Sequence, residues 1–273
     1  EVLALMNDED AGVAPAVRAA LPEIARAVEL VAERIRSGGR IFYVGAGTSG
    51  RIASLDAAEW TPTFSTDPRL VQTIMAGSSS SSVDAASGLE DDAGLGARDL
   101  TAKKISRLDV VIGLAASGRT PYVIGALQAA RNAGAATVGI CCNPDAPMTG
   151  IVDVAIVSVV GPEVLTGSTR MKAGTAQKMV LNMISTAAMV RLGKVYSNLM
   201  VDVRPANRKL LDRARRIVAE AASIPLGDAA KVLEAAGNRV KPAILMAVLG
   251  CDLPAAQQRL ARAGGFVRAA LAQ

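Results

Sequence analysis

Short runs of apolar residues alternate with longer segments of helical periodicity over most of the chain. The apolar runs predict buried β-strands at Ile41–Val44, Leu70–Met75, Asp109–Leu114, Ala136–Cys141 and Val152–Val159. The other segments predict a helix over Pro15–Arg36 with a bend at Leu21-Pro22 and a helix from about Ser49. They also predict one or two helices over Val83–Lys104, broken near Gly94 and Gly96, and helices over Pro121–Asn132 and from Gly174 to Leu192. This alternation is typical of an α/β fold with a Rossmann-like parallel sheet flanked by helices.

The pattern becomes purely helical after Pro205. It predicts helices at Asn207–Ala222, Asp228–Ala236, Lys241–Leu249 and Pro254–Ala263. We therefore expect a main domain over residues 1–204 and a small helical C-terminal appendage over residues 205–273, with the boundary near Arg204. Basic residues cluster in the first of these helices, but Asp212 interrupts them, which favours a solvated helix face over a nucleic-acid site.

The amino-acid composition excludes several kinds of active and binding site. None of the 273 residues is histidine, which excludes a Ser-His-Asp or Cys-His triad, a His metal site and a His general base. Acid–base chemistry must therefore use Asp, Glu, Lys, Tyr or Cys. Aromatic residues make up only 3%, too few for a platform on which nucleic-acid bases stack. The net charge of +5 is compatible with an anionic ligand.

The cysteines and the longest apolar runs point to a reducing, aqueous setting. The three cysteines are Cys141, Cys142 and Cys251, an odd number that suggests no disulfide framework. No apolar run reaches the roughly 18 residues of a membrane-spanning helix, so we expect no membrane partner.

A glycine-rich loop, Gly45-Ala46-Gly47-Thr48-Ser49-Gly50-Arg51, follows the first predicted strand and matches GxGxxG. A dinucleotide site would need an acidic residue roughly 20 positions further on, and the second strand ends instead at Met75-Ala76-Gly77. Thr48 and Ser49 stand at a helix N-terminus, where hydroxyls and backbone N–H groups suit a phosphate monoester. A purely structural turn remains the alternative.

Two further hydroxyl clusters follow predicted strands. Ser117, Arg119 and Thr120 come after the third strand, and the cluster Thr166-Gly167-Ser168-Thr169 precedes the long helix from Gly174. Ligands of open α/β sheets bind at the carboxyl ends of the strands, so these loops are expected to form one site. The serine run Ser78–Ser82 is interpreted as a plain loop or helix start rather than a phosphate cradle.

These segments resemble the sugar isomerase (SIS) domain, and more narrowly the N-acetylmuramic acid 6-phosphate etherase family. The resemblance extends over essentially the whole chain. The segments that carry it are Gly45–Arg51, Asp56-Ala57-Ala58-Glu59, Pro62-Thr63-Phe64, Ala115–Tyr122, Gly161–Lys178 and Leu192–Val203. Within them, Gly161–Lys172 is highly specific. It implies a cytoplasmic enzyme, usually a homodimer, that uses neither a metal ion nor an organic cofactor. The expected reaction cleaves the lactyl ether of the phosphosugar during cell-wall recycling, giving N-acetylglucosamine 6-phosphate and D-lactate.

The resemblance also assigns residues. The motif Asp56-Ala57-Ala58-Glu59 carries the proton-donor role onto Glu59, and Gly88-Leu89-Glu90-Asp91-Asp92 carries that of the second catalytic glutamate onto Glu90. The expected phosphate ligands are Thr48, Ser49, Ser117 and Thr120, with Arg51 or Arg119 adding charge unless it forms a salt bridge instead. Ser168 is a further candidate substrate contact, and Glu163 is expected to make a structural or sugar-hydroxyl contact rather than to act as the base.

Two other functions remain open at this point. The vertebrate glucokinase regulatory protein shares the Gly161–Lys172 signature, so a non-catalytic regulator that senses phosphosugars is the first alternative. An aldose–ketose isomerase on the same fold is the second, and it would need a base but no acid for a leaving group. The presence of both Glu59 and Glu90 favours the etherase.

Overall fold

The computed structural model describes residues 1–77, 88–203, 205 and 207–273. The serine run 78–82 and the first residues of the helix predicted over Val83–Lys104 lie outside the described residues. The chain divides into two compact units, one of Glu1–Ala58 with Pro68–Thr186 and one of Glu59–Asp67 with Ala187–Gln273. The boundary proposed near Arg204 assumes that each domain is one continuous stretch of sequence, and it stays a prediction.

The first unit is built on a five-stranded parallel sheet, which confirms the predicted α/β class. The strands are β1 (Ile41–Gly45), β2 (Val71–Met75), β3 (Val110–Leu114), β4 (Ala136–Cys141) and β5 (Val154–Val157). Their order across the sheet is β2-β1-β3-β4-β5. Each lies within or close to a run of apolar residues, as expected for parallel strands that are covered on both faces.

Helices connect and cover these strands. They are α1 (Val2–Asp10), α2 (Val13–Ala19), α3 (Leu21–Arg36), α4 (Gly47–Phe64), α5 (Ala93–Thr101), α6 (Pro121–Asn132) and α7 (Lys172–Arg191), with short 3₁₀ turns at Leu89–Asp91 and Pro147–Ile151. The helix predicted over Pro15–Arg36 is divided into α2 and α3, and Pro22 lies in the first turn of α3. The division between the two units falls inside α4 and α7.

Alternate residues of β1 show how the sheet is covered. Phe42 and Val44 belong to a buried cluster that includes Val123 and Leu127 of α6. Tyr43 is also fully buried, and its hydroxyl donates to Asp56 Oδ2 of α4 at 2.9 Å. Successive side chains of a strand point to opposite faces, so each face of β1 has a helix against it.

The second unit contains a hairpin and helices. The hairpin pairs β6 (Val195–Tyr196) with β7 (Leu199–Met200) and was not predicted. The helices are α8 (Arg208–Ala222), α9 (Leu226–Ala235), α10 (Val240–Leu249), α11 (Leu253–Arg262) and α12 (Val267–Leu271). Four of them match the helices predicted for the appendage, and their apolar faces share one buried cluster that includes Ile217, Leu233 and Ile244. Among the helices of the described residues, none is long and apolar enough to cross a bilayer.

The helix break predicted near Gly94 and Gly96 lies slightly earlier, at Asp92, whose backbone is extended between the 3₁₀ turn and α5. Helix α5 runs through both positions without interruption. Gly96 is buried, and a Cβ atom placed there would collide with the Tyr122 carbonyl oxygen of α6. A Cβ at Gly125 of α6 would in turn collide with the Ala93 carbonyl oxygen. These glycines therefore serve close packing between two helices rather than a helix end.

The two glycines of α5 should consequently respond differently to alanine. Gly96→Ala should lower the free energy of unfolding by about 1–3 kcal/mol, because the added methyl group forces the two helices apart. Gly94→Ala is the matched control, since Gly94 is exposed; alanine there should leave stability unchanged or raise it by up to about 1 kcal/mol through helix propensity. Urea denaturation followed by circular dichroism measures both. Equal effects at the two positions would contradict the packing role.

Candidate active site

The predicted hydroxyl loops after β1 and β3 lie at the same edge of the sheet. The two strands are neighbours, and their last residues, Gly45 and Leu114, are paired in register. Strand order reverses between them, since β2 lies on one side of this pair and β4 on the other. Crevices at such reversals are where open α/β sheets bind ligands. The loop that begins α4 and the loop that begins α6 therefore border one crevice.

Helix α4 starts at Gly47, whose φ of 51° lies in the left-handed region that glycine adopts without strain. Thr48, Ser49 and Arg51 lie in its first turns, and Thr48 and Arg51 are exposed. The preceding residue is Ala46, whose methyl group offers no hydrogen-bond acceptor to the first backbone N–H groups of the helix. The positive end of α4 is thus left without a side-chain cap from that position.

Helix α6 begins in a similar way. Its N-cap residue is Thr120, whose side chain makes no capping hydrogen bond. Ser117 is exposed, and its Oγ accepts a hydrogen bond from the Arg119 backbone N–H at 3.2 Å. Asn143 holds this loop to the end of β4, because its Nδ2 donates to the Ala116 and Ser117 carbonyl oxygens, each at 3.4 Å.

Two arginines add positive charge beside these helix ends. Arg51 and Arg119 are both exposed. Within the part of the chain that the structure describes, neither forms an ion pair. The salt-bridge alternative for these residues therefore finds no support among the described residues.

The N-terminus of α7 differs, because the chain itself supplies an anion there. Glu163 Oε2 accepts from the Lys172 backbone N–H at 3.0 Å, and Oε1 accepts from that of Ala173 at 3.1 Å. Glu163 is buried, so its charge lies close to the positive end of the helix dipole. This is a structural contact of the kind expected from the sequence, and a sugar contact by the same residue stays a prediction.

A cavity of about 190 Å³ lies beside Glu163, and Ala116, Cys142, Asn143, Thr166 and Thr169 are among its lining residues. Ser168, the third predicted hydroxyl of this cluster, is not among them and is half-buried in the turn before α7. Burial, with smaller contributions from Cys141 and Glu163, raises the pKa of Cys142 to about 12. Cys142 is therefore a neutral thiol at physiological pH, and it offers no thiolate nucleophile to this cavity.

Helices α4 and α7 meet at this same edge. Ser49 Oγ donates to Gln177 Oε1 at 2.9 Å. A Cβ atom placed at Gly174 would lie 3.8 Å from the Thr48 side-chain methyl group, so the first turns of the two helices are in close contact. Sequence reasoning gave Gln177 no role of its own, although it lies within the Gly161–Lys178 segment that carries the resemblance, because its partner Ser49 lies 128 positions earlier in the chain.

The acidic residues of the predicted catalytic motifs occupy different environments. Glu59 is exposed on α4, and Glu90 is exposed in the 3₁₀ turn Leu89–Asp91. They belong to different compact units. Their assignment as acid and base stays a prediction.

Asp56 lies three residues before Glu59 in the same motif, yet it is almost completely buried. Its carboxylate accepts hydrogen bonds from Tyr43 of β1 at 2.9 Å and from Ser185 of α7 at 3.2 Å. Lys178 Nζ lies 3.8 Å from Asp56 Oδ1. Asp56 therefore fixes α4 against β1 and α7, and the sequence alone did not separate this role from that of Glu59.

No cluster of three or more Cys, Asp or Glu residues with the geometry of a metal site occurs in residues 1–77, 88–203, 205 and 207–273.

Comparison with known proteins identifies the fold. Residues 92–187 match the SIS domain family, and residues 23–131 match the family of the glucokinase regulatory protein N-terminal SIS domain. The solved structure of the phosphoheptose isomerase from Neisseria gonorrhoeae is similar, with a TM-score of 0.54 over 69% of this chain and 97% of that chain. Identity to it is 16%, so this likeness shows the fold alone.

Two curated relatives are much closer in sequence. Both are named N-acetylmuramic acid 6-phosphate etherase, one from Mycolicibacterium smegmatis at 56% identity and one from Serratia proteamaculans at 54%. Each match covers 99% of this chain and 91% of the relative. On that identity over nearly its whole length, the chain belongs to the N-acetylmuramic acid 6-phosphate etherase family.

Proposed function

We propose that this protein is a carbon–oxygen lyase that cleaves the D-lactyl ether of N-acetylmuramic acid 6-phosphate. Elimination followed by addition of water would give N-acetylglucosamine 6-phosphate and D-lactate. The observation that carries this proposal is 54–56% identity over 99% of the chain to relatives that bear the etherase name. The presence of Glu59 and Glu90 in the motifs that resemble those of the family supports it.

The arrangement of helix ends supports binding of the phosphate between the first turns of α4 and α6. Glu163 already supplies an anion to the N-terminus of α7. Among the described residues, no hydrogen bond from a carboxylate to the N-terminus of α4 or α6 is found, and Thr48, Ser49, Ser117 and Thr120 lie beside these helix ends. Helix N-termini with nearby hydroxyls favour an anion with several acceptor oxygens. Arg51 and Arg119 would add the charge that a phosphate dianion requires.

The cavity near Glu163 would then receive another part of the substrate. Its volume of about 190 Å³ is below the roughly 300–1,000 Å³ of pockets that enclose a whole small ligand. We place the phosphate at the β1–β3 crevice and a portion of the sugar in this cavity. Thr166 and Thr169 would offer hydroxyls to that portion. Ser168 would contact the substrate from the turn beside them.

The two glutamates would divide the acid–base work. In the open-chain sugar, the C1 aldehyde acidifies the proton on C2. Glu90 would remove that proton, Glu59 would protonate the C3 ether oxygen as lactate leaves, and water would then add at C3. With no histidine in the chain, one carboxyl group must be protonated and the other ionised when the substrate binds.

A non-catalytic regulator is less well supported. The match to the regulatory protein's domain covers residues 23–131, whereas the relatives named etherase match nearly the whole chain. An isomerase would leave the proton donor Glu59 without a leaving group to protonate. Release of lactate by the purified protein separates the etherase from both alternatives.

We place the reaction in the recycling of cell-wall amino sugars in the cytoplasm, carried out by a homodimer that needs neither a metal ion nor an organic cofactor. The phosphosugar is the partner we expect. The family resemblance supports these points, and the division into residues 1–204 and 205–273 belongs to the same proposal. Gel filtration with light scattering tests the dimer directly.

The proposed elimination predicts which oxygen atom is replaced. In ¹⁸O-labelled water, the label should enter the C3 hydroxyl of N-acetylglucosamine 6-phosphate, because water adds to that carbon after the ether oxygen has left with lactate. Mass spectrometry of the two products measures this. Label in the lactate hydroxyl would mean cleavage on the other side of the ether and would contradict the mechanism.

Two isosteric variants should separate the roles of the glutamates. General acid–base groups typically contribute about 10²–10⁴-fold each. Glu90→Gln should therefore lose both lactate release and exchange of the C2 hydrogen with deuterated water. Glu59→Gln should lose lactate release but keep some C2 exchange, since the carbanion can still form and return. Exchange is followed by NMR and lactate release by a coupled assay.

Asp91→Asn is the matched control, because Asp91 is exposed in the same 3₁₀ turn as Glu90 and has no role in the proposed reaction. It should retain activity within about threefold, as expected for a surface substitution. The opposite pattern of C2 hydrogen exchange in the two glutamate variants would show that the acid and base roles are reversed. Full activity in both glutamate variants would show that the catalytic assignment is wrong and would remove the main reason to prefer a lyase.

A further inference from the structure

Gln177 is a buried side chain at the proposed phosphate site, and no step of the proposed reaction uses it. It lies in the second turn of α7 and is 1% exposed. Its Oε1 accepts the Ser49 hydroxyl at 2.9 Å. Its Nε2 is buried, and none of the described residues accepts a hydrogen bond from it. A buried amide nitrogen without a hydrogen-bond acceptor is unusual and needs an explanation.

The hydrogen bond also restricts Ser49. A serine hydroxyl has one proton to donate, and here Gln177 Oε1 takes it. A phosphate dianion offers acceptors only. In this orientation of the Gln177 amide, Ser49 therefore presents lone pairs and no proton to an incoming phosphate.

Rotation of the terminal amide by about 180° would reverse this arrangement, because the two amide heteroatoms are nearly equal in size. Nε2 would then donate to Ser49 Oγ, and the serine proton would become available to the phosphate. Each orientation keeps one hydrogen bond between the two side chains, so the unliganded protein gains little from the rotation. A bound phosphate would favour it, since a donor to an anion is stronger than a neutral one.

We infer that Gln177 is a positioning residue for phosphate binding: its amide turns when a phosphate ester enters, so that Ser49 donates its proton to the phosphate instead of to Gln177. This inference rests on the proposed function, in which Ser49 binds the phosphate. Gln177 itself is too buried to contact the ligand, so it acts through Ser49. It has no part in the proton transfers assigned to Glu59 and Glu90.

Gln177→Glu tests the inference with almost no change in size. The introduced carboxylate can only accept, so it holds the Ser49 proton permanently. KM for N-acetylmuramic acid 6-phosphate and Ki for inorganic phosphate should rise about 10–100-fold near pH 8, the range expected for loss of a hydrogen bond to a charged group. The kcat should change much less. At lower pH, protonation of the introduced carboxyl group restores a donor to Ser49, and the ratio of variant to wild-type KM should fall.

A double-mutant cycle with Ser49→Ala separates positioning from simple charge repulsion. If Gln177 acts through Ser49, Gln177→Glu should add little to the KM of Ser49→Ala. An equal increase in both backgrounds would show repulsion alone and overturn the inference. Gln128→Glu introduces the same charge on the exposed side of α6 and should leave KM unchanged.

A second variant tests the inference if Gln177→Glu folds poorly. Gln177→Met removes the amide but frees the Ser49 proton, so KM should rise by less than about tenfold, and only while Ser49 is present. Equal KM values for wild type, Gln177→Glu and Gln177→Met would overturn the inference if Ser49→Ala alone raises KM. If Ser49→Ala leaves both KM and the phosphate Ki unchanged, the assignment of Ser49 in the proposed function is wrong, and the inference fails with it.

Discussion

The first backbone N–H groups of an α-helix have no partner within the helix, and this constraint organises the functional edge of the sheet. Among the described residues, three helices begin there. Glu163 satisfies the start of α7 from within the chain, with both carboxylate oxygens bound to backbone N–H groups. Ala46 precedes α4, and Thr120 at the start of α6 makes no capping bond. The edge therefore has one helix end closed by its own carboxylate and two that suit an external anion.

Glu163 thus caps α7 and also makes the charge distribution along this edge asymmetric. Burial raises the pKa of Cys142, and Cys141 and the Glu163 carboxylate add to that effect. The β4–β5 side of the edge therefore carries a buried negative charge, while Arg51 and Arg119 stand exposed near β1 and β3. A phosphosugar in the proposed site would meet positive charge at its phosphate and a carboxylate near its sugar, and this asymmetry disfavours the reversed orientation.

The sequence predicted elements well where each has a strong periodic pattern and a clear end. Strand β4 and helix α6 were predicted with their observed bounds. The hairpin β6–β7 has only two residues in each strand, too few to show an alternation. Helix α1 buries none of its residues, so no apolar stripe marks it. The hydroxyl loops were found because strand ends are local features. The partnership of Ser49 with Gln177 depends on tertiary packing, which no local pattern contains.

The motif Asp56-Ala57-Ala58-Glu59 shows why residue type alone does not assign a role. Both acids lie on α4, three positions apart, and three residues cover about 300° of helix rotation. Asp56 is buried and accepts from Tyr43 and Ser185, so its charge is used in holding α4 to the sheet and to α7. Glu59 is exposed and can meet a ligand. A carboxylate that anchors a helix must be buried and hydrogen-bonded, whereas one that exchanges protons with a substrate must be accessible. Burial therefore separates the two acids in a way their spacing does not.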